Sequence, residues 1–309
     1  MNRLLAILAF VVISSAAMAK TGDDKYISHG DLIARFPMHF KNGFLFVSVP
    51  VADTLLDGTP DTVAKSFLID PRASNDGSYL PNDSAETRLG TQSFYIPATP
   101  QRTLVWKLAP SLAKGNFKKA DESFFGVIGY GVLRQYVTVI NFAANTFSLY
   151  ALDPAPTYTK KIETSEVIHV PYFDDVILNY CHCQFPTIWL EADAAPLKAG
   201  RWHLSLADRQ SVVYEQAIPG EIKRKINQAL YDDSVHGKID PYAGIKLTKF
   251  ELGGTDLAKL VPGRPIDNLP AIFKDLSVTV MGTVAMDFIS RFRAVIIDPT
   301  QSKLMLCNY

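Results

Sequence analysis

The sequence has no charge of either sign to spare. Lys plus Arg and Asp plus Glu both count 31, and no basic patch or acidic tail stands out. Nucleic acid is therefore not an expected partner, and long-range steering by charge is not expected either. Long apolar runs are missing too, apart from one at the N-terminus, so no later segment can cross a bilayer as a helix. Cysteine is scarce, with only Cys181, Cys183 and Cys307. On a strand Cys181 and Cys183 share one face and His182 takes the other. That suits a tetrahedral zinc site poorly, and no second Cys/His cluster completes one. Neither metal nor cofactor is expected.

The N-terminal run has its own meaning. Arg3 precedes the apolar stretch Leu4 to Ile13, and Ala17-Met18-Ala19 follows as a small-x-small pattern before Lys20. This is the layout of a signal peptide cut after Ala19, and its apolar part is short for a span of about 20 residues. No Cys stands at the cut, so no lipid anchor is expected there. The mature protein is expected to be secreted or periplasmic, without a membrane anchor, and monomeric. In that oxidising setting the odd cysteine count predicts one disulfide, Cys307 with Cys181 or Cys183, and one thiol left over.

Helical patterns are few: one over Ile222 to Leu230 and two short ones near Leu133 and Ile289. Strand patterns fill the rest. "NGFLFVSVPV", "TLVWKL", "QYVTVINF", "FSLYAL", "TIWLEA" and "RAVIID" are rich in β-branched and aromatic residues. Asn42-Gly43 reads as a hairpin turn. The fold class is all-β, with short helices. With 309 residues, 48% of them hydrophobic, the chain can build about two domains or one large one.

Part of the chain matches another part. Phe124 to Asn141, "FFGVIGYGVLRQYVTVIN", aligns without a gap with Val280 to Ile297, "VMGTVAMDFISRFRAVII". Gly126 faces Gly282, Leu133 faces Ile289, and Val139-Ile140 faces Val295-Ile296. Upstream, "SFLIDPRAS" and "RWHLSLADRQSVV" share a strand-and-turn plan, with Ser205 where Asp70 would fall. Residues 20–152 and 167–309 are then two related lobes. The linker is 153–166, with prolines and mixed charge.

This layout resembles the aspartic peptidase superfamily, the pepsin-like and retropepsin-like enzymes. Each lobe in that family has a strand ending in Asp-Thr/Ser-Gly, a flap, and a later strand running through Gly into a short helix. Here "GVIGYGVLRQYVTVINF" and "GTVAMDFISRFRAVIID" resemble the later element, with Gly126, Gly129 and Gly282 as motif glycines. The resemblance implies two β-barrel lobes flanking a cleft. It places Asp70 and Ser205 in the two acid positions. It makes "TQSFYIPATPQRTLVW" the flap, with Tyr95 reaching inward.

The chemistry of the family needs two carboxylates about 3 Å apart sharing one proton. This chain departs from that. Pro71 replaces the hydroxyl residue and brings no N–H. Arg72 replaces the glycine and sets a guanidinium beside Asp70. Ser205 is an alcohol, and Asp208, three residues on, needs a shifted turn to substitute for it. Ala285 stands where Gly129 stands in the first lobe. An alternative turn, Asp76-Gly77-Ser78, reads as an ordinary surface turn. His203, Ser205 and Asp208 lie close in sequence, but no Gly-x-Ser-x-Gly elbow surrounds Ser205, so they read as a strand-end trio.

The reading is a pseudo-peptidase that binds an extended peptide or protein in the inter-lobe cleft. One alternative is an endopeptidase with an altered dyad, Asp70 with Asp208 or with an acid from a second copy. The other is a structural envelope protein. For the leader the expected outcome is simple. Protein recovered from the periplasm or medium of an expressing bacterium begins at Lys20 on N-terminal sequencing, and a form retaining Met1 would contradict the cut.

Overall fold

The computed structural model describes residues 22–54, 60–72, 90–95, 103–108, 121–152, 156–163, 167–174, 177–178, 183–184, 187–214, 217–225, 244–245, 247–257, 269–272 and 280–308. Strands dominate these residues, as the composition predicts. None of their helices is long and apolar enough to cross a membrane. The chain forms two compact units, residues 1–167 with 292–309, and residues 168–291. Residues 292–309, which the sequence groups with the second lobe, thus pack with the first unit.

The first unit begins with β1 (Ile27–His29), β2 (Leu32–Lys41), β3 (Phe44–Thr54) and β4 (Pro60–Ile69). β2 and β3 form a hairpin closed by Asn42 and Gly43 at φ 53° and 80°, the left-handed pair that a tight hairpin turn requires. β3 pairs with β4 antiparallel over a long register from Phe46↔Leu68 to Thr54↔Pro60. The hairpin of β5 (Gly90–Tyr95) and β6 (Thr103–Leu108) joins β3 at Val51↔Phe94. β7 (Phe124–Ile128) lies parallel to β4 and leads into a short helix, Tyr130–Leu133.

A second layer of pairing follows. β8 (Val137–Asn141) and β9 (Thr146–Tyr150) make a hairpin, and β9 also pairs with β2. Short β10 (Thr157–Tyr158) pairs with β1. The final hairpin belongs here too. Its strands, Ala294–Asp298 and Lys303–Cys307, pair with each other, and the first of them pairs with β8. Residues of β8, β9 and Ala294–Asp298 are buried on both faces, which is why their sequences read as near-continuous apolar runs. Phe36, Phe46, Phe67 and Phe147 are buried in this unit, with Phe36 and Phe147 stacked at 6.4 Å.

Cys307 ends the last strand with a free, buried thiol. The side chain fills an apolar cluster with Tyr26, Val137, Ile296 and Met305, and burial pushes the thiol up to about 12. Cys181 and the side chain of Cys183 lie outside the described residues.

One buried polar network ties the segment around Asp23 to this unit. Asp23 is fully buried, and its carboxylate accepts from Arg35 Nη2 at 2.9 Å, Ser148 Oγ at 2.6 Å, Asn141 Nδ2 at 2.9 Å and Tyr150 OH at 3.3 Å. Arg35 also donates from Nε to Ser148 Oγ at 3.0 Å. A carboxylate buried this fully is tolerable only with such a set of donors and a counter-charge.

The second unit contains β11 (Val167–Phe173), β12 (Ile177–Leu178), β13 (Cys183–Gln184), β14 (Trp189–Asp193), β15 (Gly200–Leu204), β16 (Val212–Tyr214), β17 (Gly244–Ile245), β18 (Glu251–Leu252), β19 (Thr255–Asp256), β20 (Leu269–Ile272) and β21 (Val280–Val284). β14 pairs with β11, β15 and β18, and β15 lies parallel to β21. Trp202, Phe250 and Phe288 meet edge to face at 5.6 and 5.7 Å and centre the core. Residues 220–225 are helical, the start of the helix expected near Ile222; its continuation lies outside the described residues.

The Asp23 network generates a prediction. Arg35→Met leaves a buried carboxylate without its counter-charge, and the expected loss is about 3–5 kcal/mol of unfolding free energy. Urea unfolding measures it. A loss below about 1 kcal/mol would mean the network is not holding the N-terminal segment.

Candidate functional site

Two turns, one in each unit, occupy corresponding places. In the first unit the parallel pairing of β4 and β7 runs Ser66↔Phe124, then steps over one residue to Phe67↔Gly126, Leu68↔Val127 and Ile69↔Ile128. Asp70 follows, and its amide donates to the Ile128 carbonyl at 3.0 Å. In the second unit β15 and β21 run Arg201↔Val280, step over one residue to Trp202↔Gly282, and continue to His203↔Thr283 and Leu204↔Val284. Ser205 follows, and its amide donates to the Val284 carbonyl at 2.8 Å. Ser205 thus ends its parallel strand pair with the same backbone hydrogen bond that Asp70 makes at the end of its own.

Gly282 of the later strand in the second unit is there for space. A Cβ on Gly282 would run into the Trp202 ring and the Val212 carbonyl. Gly126 stands opposite Phe67 in the same register. Gly129 and Ala285 precede the two short helices, Tyr130–Leu133 and Met286–Ile289. Their φ values are −92° and −125°, open to any L-residue, so alanine substitutes for glycine here without strain.

Beyond the helices the gap-free register does not hold. The hairpin registers Val137↔Tyr150 and Ala294↔Cys307 make Val139 correspond to Ile296, not Val295. Asn145 and Ser302, at φ 54° and 47°, mark the same turn. One extra residue lies between helix and strand in the later stretch, and apolar runs hide such a shift because each neighbour is equally apolar.

The side chains of the two turns differ. Asp70 is 4% exposed. Its Oδ1 accepts from the Arg72 amide and from Arg72 Nε, both at 3.0 Å, and its Oδ2 accepts from Arg72 Nη2 at 2.9 Å. This is a two-pronged guanidinium pair, the geometry in which arginine holds carboxylates most strongly. The sequence places a guanidinium beside Asp70, and the structure puts it on both oxygens.

Ser205 is fully buried, and its Oγ accepts from the Asp208 amide at 3.0 Å. The turn then clamps the next helix. The Asp208 and Arg209 carbonyls accept from the amides of Met286 and Asp287, each at 3.1 Å. Asp287 Oδ1 accepts from the Ser211 amide at 2.9 Å and Ser211 Oγ at 2.6 Å, while Ser211 Oγ takes the Ala285 amide at 2.9 Å. Asp208 thus serves the turn through its backbone. Ser211 and Asp287 were not singled out from the sequence. They are 76 positions apart, and nothing local marks them as partners.

The remaining candidates fall as follows. His203 packs against Trp189 with the rings tilted and their centroids 4.1 Å apart, on the strand leading to Ser205. Tyr95 ends β5 opposite Thr103, a hairpin where the flap is expected; its side chain and residues 96–102 lie outside the described residues. Asp76 also lies outside them. Among the described residues no three His, Cys, Asp or Glu side chains gather as a metal set would.

No family model matches the chain, and no curated protein matches it. Solved structures do. An aspartic proteinase from Irpex lacteus is similar at 12% identity and TM-score 0.45, over 89% of this chain and 97% of that one. Basic 7S globulin from soybean is similar at 11% identity and TM-score 0.47, over 90% of this chain and 95% of that one.

Proposed function

We propose that this protein is an exported pseudo-peptidase that binds extended peptide and does not hydrolyse it. The observation that supports the reading most is the identity of Ser205. Its backbone register and the hydrogen bond from its amide to the Val284 carbonyl support reading it in the place of a second acid, yet it carries an alcohol. Acid hydrolysis on this plan needs two coupled carboxylates, one to keep a proton and one to activate water. A hydroxyl of ordinary acidity does neither. Arg72 adds to this, because both Asp70 oxygens already accept from its guanidinium.

Binding survives the loss of the acids. An extended peptide is held mainly by main-chain pairing with strand edges, and side-chain pockets add selectivity. An endopeptidase using Asp70 with Asp208 is the competing reading. The Asp208 backbone, tied at its amide to Ser205 and at its carbonyl to Met286, speaks against the turn shift that reading requires.

The test uses the mature protein, a mixed peptide library and a pH series from acidic to neutral, beside the variant Asp70→Ala. The expected outcome is captured peptides of unchanged mass at every pH. Cleavage that disappears in the variant would establish the endopeptidase, and neither capture nor cleavage would leave a structural role. A second expectation concerns Arg72→Ala. Removing one partner of a nearly buried pair, with side chains 5% and 18% exposed, lowers stability. The expected loss is about 3 kcal/mol by chemical denaturation, without any gain of cleavage.

A further inference from the structure

A polar row crosses the first unit. It draws His39 from β2, Ser48 from β3, Ser66 from β4, and Asp121 and Ser123 from the approach to β7. Asp121 Oδ1 accepts from the Ser123 amide at 3.0 Å and Ser123 Oγ at 2.7 Å, and Ser123 Oγ also meets Ser66 Oγ at 2.7 Å. Lys41 Nζ stands 3.6 Å from the same oxygen. Asp121 Oδ2 meets His39 Nε2 at 3.1 Å. On the other side of the imidazole, His39 Nδ1 meets Ser48 Oγ at 3.4 Å.

The chemistry of this row follows from which groups can donate. Burial alone would raise the Asp121 carboxyl, but hydrogen bonds from Ser123, Ser66 and His39 outweigh it and hold it well below the usual carboxylate range. An ionised carboxylate only accepts, so His39 Nε2 carries the proton. In the neutral ring Nδ1 is then a lone pair, and it faces the Ser48 hydroxyl. The ring is held in this orientation by stacking on Phe46 at 5.6 Å. The His39 side chain is 39% exposed and that of Asp121 7%, with Ser48 half-buried, so the carboxylate is sheltered while the imidazole is open to solvent.

We propose that Ser48 is an activated nucleophile, with His39 as its base and Asp121 orienting His39, and that it accepts an acyl group from an activated ester. Ser48 Oγ attacks the ester carbonyl carbon as its proton passes to His39 Nδ1. The tetrahedral adduct collapses, the bond to the leaving alkoxide or phenoxide breaks, and that group takes the proton from His39. The products are acyl-Ser48 and a free alcohol or phenol, with no oxidant or further reactant. Such arrays are recognised by geometry and not by chain order, and a hydroxyl-to-base distance on the long side is usual before substrate binds. The proposal is independent of peptide binding and of Asp70.

The test is p-nitrophenyl acetate on the full mature chain, followed by peptide mapping. The expected result is one acetyl group on Ser48. Ser48→Ala abolishes that modification, and His39→Gln slows it about 100-fold, as loss of a general base does. Thermal unfolding of both variants checks that the fold persists; both positions are partly exposed, so it should. In urea-unfolded protein the selectivity for Ser48 disappears. Acetyl groups found only on lysines, or a Ser48 rate indifferent to His39→Gln in a folded variant, would overturn the proposal.

Discussion

Much of this structure depends on one backbone constraint. A strand laid parallel to a later one ends where the next residue's amide meets the partner's last carbonyl. Asp70 donates to Ile128 in one unit and Ser205 to Val284 in the other. In each unit the pairing steps over a single residue of the later strand just before a glycine, at Gly126 and at Gly282. That step aims the following strand and the short helix after it. The hydrogen bond uses only the backbone, so the side chain at its donor is free to change without disturbing the turn. This is how two turns can share a geometry while one ends in an acid and the other in an alcohol.

What was legible in the sequence follows the range of the interactions. Strands announced themselves through β-branched and aromatic runs, and the Asn42-Gly43 turn through its left-handed requirement. Arg72 beside Asp70 was legible because the two are only two positions apart. The network around Asp23 was not. Its partners, Arg35, Asn141, Ser148 and Tyr150, lie 12 to 127 positions away. The row from Asp121 through His39 to Ser48 was hidden for the same reason, spread over separate strands. A trio adjacent in sequence, His203, Ser205 and Asp208, attracted notice instead. There Ser205 Oγ accepts a backbone amide and His203 packs on Trp189, an arrangement of turn and core.

The surroundings of Cys307 were hidden for a different reason. Counting thiols and compartment says nothing about which side chains a core needs. Cys307 lies among Tyr26, Ile27, Val139, Ile296 and Met305 and is 2% exposed, so it behaves as a small apolar residue. Burial that raises a thiol also keeps it protonated and slow to react. The same burial serves both packing and chemical protection.

The Asp70 turn can be understood through the energetics of a buried carboxylate. A carboxylate that is 4% exposed must share its charge or have it balanced. In a two-acid site the sharing is done by a proton held between the oxygens. A nearby cation is the other way to keep such an acid buried, and Arg72 supplies one through both prongs, with its own backbone amide as a third donor. A glycine at that position could donate only its amide. Arg72 thus makes the buried Asp70 self-consistent within its own turn and leaves the strand end intact.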